Sequence, residues 1–134
     1  ITAFKPPLYI QSETRNSHQN EKFNNAMILY NKQDYKGSLK ILKEIKNNKN
    51  PQNLFFKGIC SLLTDELQLA INTFDIIIEI MNPSYYDEAI FYKGIALLRL
   101  NKKDKALEQF KNLASMFSPY STRAKAMIDK INKL

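Results

Sequence analysis

Small residues recur along this chain at nearly constant intervals, and this internal repeat restricts its possible folds more than any other feature. Residues 22–51, 54–83 and 90–119 align without gaps, and the successive copies are 32 and 36 residues apart. In each copy a second small residue follows the first by twelve positions. One large residue comes four positions after that second small residue, and another comes three positions later. A period in this range is typical of solenoids. The recurring positions are Ala26, Gly58 and Gly94, then Ser38, Ala70 and Ala106, then Leu42, Phe74 and Phe110, then Ile45, Ile77 and Leu113.

Each copy predicts two antiparallel helices joined by a short polar turn. Small residues at matched points let two helix backbones approach, and the large residue fills the space between them. The turns predicted at residues 31–34, 64–66 and 101–104 are short enough to require antiparallel neighbours. Each copy ends on a proline, and we expect this proline to block continuation of the second helix. The three prolines are Pro51, Pro83 and Pro119.

The third copy is entered through a longer connection than the second. Seven residues separate Pro51 from Gly58, whereas eleven separate Pro83 from Gly94. Because four residues are about one helical turn, we expect the first helix of the third hairpin to start a turn early, with Ser84 as its N-cap. Residues 120–134 restart the pattern and stop, which predicts a capping helix that buries Ala126, Met127 and Ile131. The sequence therefore predicts an all-α chain of seven helices.

With this pattern the chain resembles the tetratricopeptide repeat family over residues 19–134. The family has glycine, alanine, phenylalanine and proline where the second copy has Gly58, Ala70, Phe74 and Pro83, and the third has Gly94, Ala106, Phe110 and Pro119. The family's tryptophan is replaced by Lys22, Leu54 and Ile90, and its proline falls one residue late. The resemblance implies an α-α superhelix, a right-handed solenoid of antiparallel helical hairpins. Its hairpins would span residues 19–51, 52–83 and 84–119, with a capping helix over 120–134 and an extended segment or linker over 1–18.

The resemblance also implies that a partner binds along a concave groove lined by the first helix of each hairpin. The type of groove that grips a C-terminal carboxylate has lysine, asparagine and arginine at these places, whereas here they are apolar or aromatic. We therefore expect an apolar peptide or partner helix to bind. The alternative is that the leading phenylalanine of each trio belongs to the core of a tightly wound array. The predicted groove residues are Phe23, Met27 and Tyr30, then Phe55, Ile59 and Leu62, then Phe91, Ile95 and Leu98.

The first seventeen residues lack helical periodicity. Phe4, Pro6, Pro7, Leu8, Tyr9 and Ile10 form an apolar segment that proline holds in an extended or polyproline conformation. One hypothesis is that this segment lies along the groove or the side of the first hairpin as a ligand in cis. The other is that it links the domain to an upstream membrane anchor.

Charge and composition argue against several other functions. The net charge is +7, but residues 19–51 hold seven lysines against three acids while residues 52–83 hold one lysine against four acids. Such a split charge does not predict a nucleic-acid surface. A single histidine, a single cysteine and no glycine-rich phosphate loop indicate a protein that is not an enzyme and needs no metal or cofactor. Cys60 lies in an apolar run and is expected in the core.

The C-terminal half looks like repeat domains exported into the bacterial envelope behind a single membrane anchor. This likeness, over residues 85–134, implies a periplasm-facing location and an anchor upstream of Ile1, with the cytoplasm as the alternative. Two functions stay open from the sequence. One is a scaffold that binds a protein or peptide, and the other is a structural or assembly domain that forms a homodimer or fills the groove with its own N-terminal segment.

Overall fold

The structure, a computed structural model, describes residues 1–10 and 18–134. Over these residues the chain folds into seven α helices and no strand, which confirms the predicted all-α class. Consecutive helices pack against each other along the chain. The handedness of the predicted superhelix and the division into hairpins stay predictions. The helices are α1 His18–Asn31, α2 Tyr35–Glu44, α3 Pro51–Leu63, α4 Leu67–Ile80, α5 Tyr86–Arg99, α6 Lys103–Ala114 and α7 Ser121–Asn132.

The repeated small and large residues meet between paired helices. A Cβ atom built on Gly58 would lie 2.6 Å from Cε1 of Phe74, and one on Gly94 would lie 2.6 Å from Cζ of Phe110. Both rings are fully buried. The glycines thus provide the space into which the rings of α4 and α6 fit, as the pattern predicts. In the first pair, the smaller Leu42 accompanies an alanine, Ala26, and both are also fully buried.

The turn inside each helical pair has the same backbone geometry at the same repeat position. Gln33, Asp65 and Asn101 are all left-handed, with φ of 66°, 61° and 60°. The next residue's N–H donates to a carbonyl five residues back in each turn, with N···O distances of 2.9, 2.8 and 2.9 Å. This is the Schellman ending, for which glycine is the usual residue. The shared turn supports the repeat at the level of the backbone.

The prediction that a proline ends each second helix is wrong for Pro51 and Pro119, whereas Pro83 follows the C-cap of α4 by two residues, as expected of a proline that blocks continuation. α2 ends at Glu44, well before Pro51, and Pro51 instead lies in the first turn of α3. There its missing N–H costs nothing, because that group has no partner inside a helix. The side chain of Asn50 caps α3 by accepting from the N–H of Asn53 at 3.1 Å. α4 ends at Ile80, with the left-handed Met81 as its cap.

The longer connection before the third pair forms a turn rather than an extra turn of helix. α5 starts at Tyr86, eight residues before Gly94, against seven from the start of α3 to Gly58. The expected N-cap Ser84 is therefore wrong, and Tyr85 holds that position without a side-chain cap. The carbonyl of Asn82 accepts from the N–H groups of both Tyr85 and Tyr86, which folds the extra residues back. The ring of Tyr85 then stacks on Phe55, with centroids 4.9 Å apart.

The last helix covers the sixth along a slightly different face from the one predicted. Ala124, Met127 and Ile131 are buried, whereas Ala126 is exposed. Ala124 and Ile131 are two helical turns apart with Met127 between them, so the three share one side of α7.

Cys60 is fully buried and donates to the hydroxyl of Ser38 at 3.6 Å, as expected of a core cysteine. None of the helices in the described part of the chain has the length and apolar character needed to cross a membrane.

Candidate peptide-binding surface

Residues 1–10 form neither helix nor strand and lie against the first helices of the pairs. Their exposure alternates: Thr2, Phe4 and Tyr9 are partly buried, while Leu8 and Ile10 remain 88% and 83% exposed. Exposure alternates with a period of two over residues 1–6 and again over residues 7–10, as is typical of an extended chain that rests one side on a surface. The adjacent Pro6 and Pro7 are both partly buried, and this shift in phase lets Phe4 and Tyr9 face the same surface. The segment therefore presents an inward side to the helices and an outward side to solvent.

Arg99, at the end of α5, holds the start of the segment. Its Nη2 donates to the carbonyl of Thr2 at 3.0 Å, and its Nη1 donates to the carbonyl of Leu62 at 2.9 Å. The guanidinium also lies 5.6 Å from the ring centroid of Phe4, within cation–π range. Phe4 in turn packs on Tyr92, with centroids 5.2 Å apart. One arginine thus fixes both the backbone and the first aromatic side chain of the segment.

Tyr30, Phe23 and Phe56 hold the other end of the segment. The hydroxyl of Tyr30 donates to the carbonyl of Pro7 at 2.5 Å. The ring of Tyr9 meets the rings of Phe23 and Phe56 edge-on, with centroids 5.6 and 5.5 Å away. Desolvation by burial raises the pKa of both Tyr30 and Tyr9 above the usual value for tyrosine. Both hydroxyls therefore stay protonated at neutral pH, and Tyr30 remains a hydrogen-bond donor.

The segment-binding surface is defined here as Phe23, Tyr30, Phe56, Tyr92 and Arg99. It belongs to α1, α3 and α5, which are the helices that the tetratricopeptide resemblance assigns to a groove. The segment crosses it from the C-terminal end of α5 to α1 and α3. The donors bind main-chain carbonyls and the rings pack on aromatic side chains, so the arrangement suits an extended peptide.

The nine predicted groove residues are all at most 8% exposed. Phe23 and Tyr30 contact the segment. Phe55 packs on Phe74 and Tyr85, and Phe91 packs on Phe110 and Tyr120. The remaining five belong to the hydrophobic core: Met27, Ile59, Leu62, Ile95 and Leu98. Burial therefore favours the alternative that the phenylalanines at 55 and 91 are core residues, and a binding role for the nine stays a prediction.

The sequence interpretation missed Phe56, Tyr92 and Arg99. Phe56 and Tyr92 each follow a predicted groove phenylalanine by one residue, and one residue rotates the side chain by about 100° around the helix. Adjacent aromatic residues leave the inward face ambiguous. A usable signal was the spacing of seven between Tyr92 and Arg99, which places both on one side of α5.

A cluster of Glu88, Tyr120 and Arg123 joins α5 to α7 next to the segment-binding surface. Burial raises the pKa of Glu88, opposed by a hydrogen bond from Tyr120 and by the charge of Arg123. The Arg123 guanidinium lies 4.5 Å from the centroid of Phe91 and 5.0 Å from that of Tyr120. These contacts hold the last helix against the third pair.

Within the described residues, three or more histidine, cysteine or acidic side chains do not come together to form a metal site. No protein-family model matches the chain, and no curated protein sequence matches it significantly.

Proposed function

We propose that this chain is a non-catalytic protein-interaction scaffold of the tetratricopeptide type, and that its binding site is the segment-binding surface. The proposal rests on one observation: residues 1–10 lie across α1, α3 and α5 with their carbonyls bonded to Tyr30 and Arg99. An extended peptide bound by side-chain donors and aromatic rings is a recognised form of partner binding. Here the first ligand of the surface is residues 1–10 of the same chain.

Removal of the segment tests this proposal directly. Deleting residues 1–17 uncovers the aromatic rings of Phe23, Phe56 and Tyr92, so a hydrophobic dye should bind with increased fluorescence, or the chain should self-associate. The dye titration needs the full chain as its control, and circular dichroism must establish that the shortened chain keeps its helices. A folded monomer that binds no additional dye would remove the support for a binding surface.

The second candidate is a structural or assembly domain in which the segment permanently seals the surface. The contacts of Arg99 and Tyr30 favour this structural role, because a permanently bound segment needs to be held at both ends. An assembly role also includes a homodimer. A membrane anchor upstream and a location in the envelope would accompany this role.

Displacement of the segment discriminates between the two candidates. A scaffold releases its segment when a competing peptide is added, whereas a sealed domain keeps it in place. Environment-sensitive fluorescence from a dye attached to an added cysteine before Ile1 reports the release. Size-exclusion chromatography with light scattering reports a homodimer: a dimer that persists on dilution supports assembly, and a monomer supports the scaffold.

A further inference from the structure

Different side chains bind the two ends of the segment, and the side chains between the two ends contribute less to recognition. Phe4 packs on Tyr92 beneath Arg99, and Tyr9 is held between two phenylalanine edges. Between the rings, Lys5 and Leu8 are exposed. The recognition elements are therefore two aromatic side chains and two carbonyls rather than the whole run of residues.

The spacer between the two aromatic residues has chemistry of its own. It contains Pro6 and Pro7, which are partly buried and carry no N–H group. A peptide that rests on aromatic rings would leave ordinary N–H groups without partners there, and proline avoids this cost. A polyproline conformation also advances about 3 Å per residue, so five residues hold the two rings roughly 15 Å apart.

We propose that the surface selects extended partner segments with the pattern aromatic, any residue, proline, proline, any residue, aromatic, and that residues 1–10 compete with such partners. This inference rests on the function proposed above and specifies its ligand. The partner lies in the same chain direction as residues 4–9. Its outward positions, equivalent to Leu8 and Ile10, are free to vary.

Because the attached segment competes for the surface, only free peptides that match its recognition elements can bind. A ligand tethered through a short linker acts at an effective concentration on the order of 1 mM. A free peptide must therefore match the recognition elements well to displace it. A partner that lacks either aromatic residue loses one of the two ring sites and is outcompeted.

The test uses the full chain with its own segment weakened by Phe4→Ala and Tyr9→Ala. The probe is a fluorescein-labelled peptide with the sequence of residues 1–10, and binding is measured by anisotropy. We expect the variant to bind this probe at least roughly tenfold more tightly than the unaltered chain, because each lost ring removes apolar contact from the competing segment. If the double variant loses its helical circular dichroism, the single variant Tyr9→Ala replaces it.

Unlabelled competitor peptides then test the pattern itself. Alanine at position 4 or 9 should weaken competition roughly tenfold, and glycine in place of both prolines should also weaken it. The matched controls are alanine at position 8 or 10, which remove apolar side chains of similar size from the outward side. These should change competition by less than about twofold, as expected of exposed positions.

The outcomes separate the two levels of the proposal. Equal effects of inward and outward substitutions overturn the pattern, while the scaffold function stands. A folded variant that binds none of these peptides overturns the scaffold function and the pattern with it.

Discussion

The ring of Phe74 occupies the space that a side chain on Gly58 would need, since a Cβ atom there would lie 2.6 Å from the ring. The same relation holds between Gly94 and Phe110. In the first helical pair the corresponding residues are Ala26 and Leu42. Alanine is larger than the glycine of the other pairs, and leucine is smaller than their phenylalanine. The repeat therefore maintains the combined volume at this contact rather than one residue type.

Gly58→Ala should destabilise the fold by about 1–3 kcal/mol, because the added methyl group forces the Phe74 ring to move in a packed core. Urea unfolding followed by circular dichroism measures this loss. Adding Phe74→Leu recreates the alanine and leucine pair of the first repeat and should recover part of it. Strictly additive losses in the double-mutant cycle would mean that the two positions do not share this space.

Gln33→Gly should stabilise the chain by about 1 kcal/mol, because Gln33 is held at φ 66° where glycine is unstrained. Asn101→Gly should gain less, since asparagine tolerates the left-handed conformation better than glutamine. The midpoint of urea unfolding gives both values. Lys40→Gly serves as the control: it places glycine inside α2 at an exposed position and should cost about 1 kcal/mol. An equal gain at all three sites would contradict the argument from backbone conformation.

Arg99→Gln should release the start of the segment, because glutamine cannot reach the carbonyls of Thr2 and Leu62 together. Chymotrypsin should then cleave after Phe4 or Tyr9 faster than in the unaltered chain. A loss of about 1–3 kcal/mol in folding stability is expected from the charged hydrogen bonds.

Asp65→Asn provides the matched control for Arg99. Asp65 lies 3.9 Å from the guanidinium, but its side chain is 84% exposed, so this ion pair contributes little. Cleavage at Phe4 should therefore stay unchanged in Asp65→Asn. If both substitutions accelerated cleavage equally, the ion pair rather than the carbonyl contacts would hold the segment.

Stability should fall as pH rises from about 9 to 11, because burial raises the pKa of Cys60 to about 11 in the folded chain from a usual value of 9.0. Unfolding lets the thiol ionise at lower pH, so the thiol contributes full stability below pH 9 and progressively less above it. Cys60→Ala should flatten this part of the pH profile, with a difference of about 1 kcal/mol at pH 10. Parallel profiles for the two chains would show that the thiol stays exposed to solvent or ionised in the folded state.

The fold could be predicted from the sequence at positions that recur in every repeat. The predictions were incomplete or wrong at positions where the repeats differ in residue type. Gly58, Gly94 and their partner rings recur in register, so the helix pairs and their contacts follow from spacing alone. The shared left-handed turn was hidden because Gln33, Asp65 and Asn101 are chemically different and none is glycine. Pro51 was misread because proline is compatible with a connection and with the first turn of a helix, and only the end of α2 at Glu44 decides between them.

The candidate site was predicted only in part, for a related reason. Phe23 and Tyr30 contact the segment as a groove lining would. In α3 and α5, however, adjacent aromatic residues offered two faces, and the inward one is set by packing against neighbouring helices rather than by residue type. Arg99 escaped notice because a charged residue at a helix end usually faces solvent. Its role depends on the position of Thr2, 97 residues away in sequence.

That separation has a kinetic consequence. The helices mostly contact their neighbours along the chain, and such local contacts form early during folding. The bond between Thr2 and Arg99 requires closure of a loop across a separation of 97 residues, so it can form only after α5 is in place. During synthesis on a ribosome residues 1–10 emerge before α5 and must wait for the third helical pair. Until then the apolar segment is free in solution, which is the interval in which another chain or a chaperone can bind it.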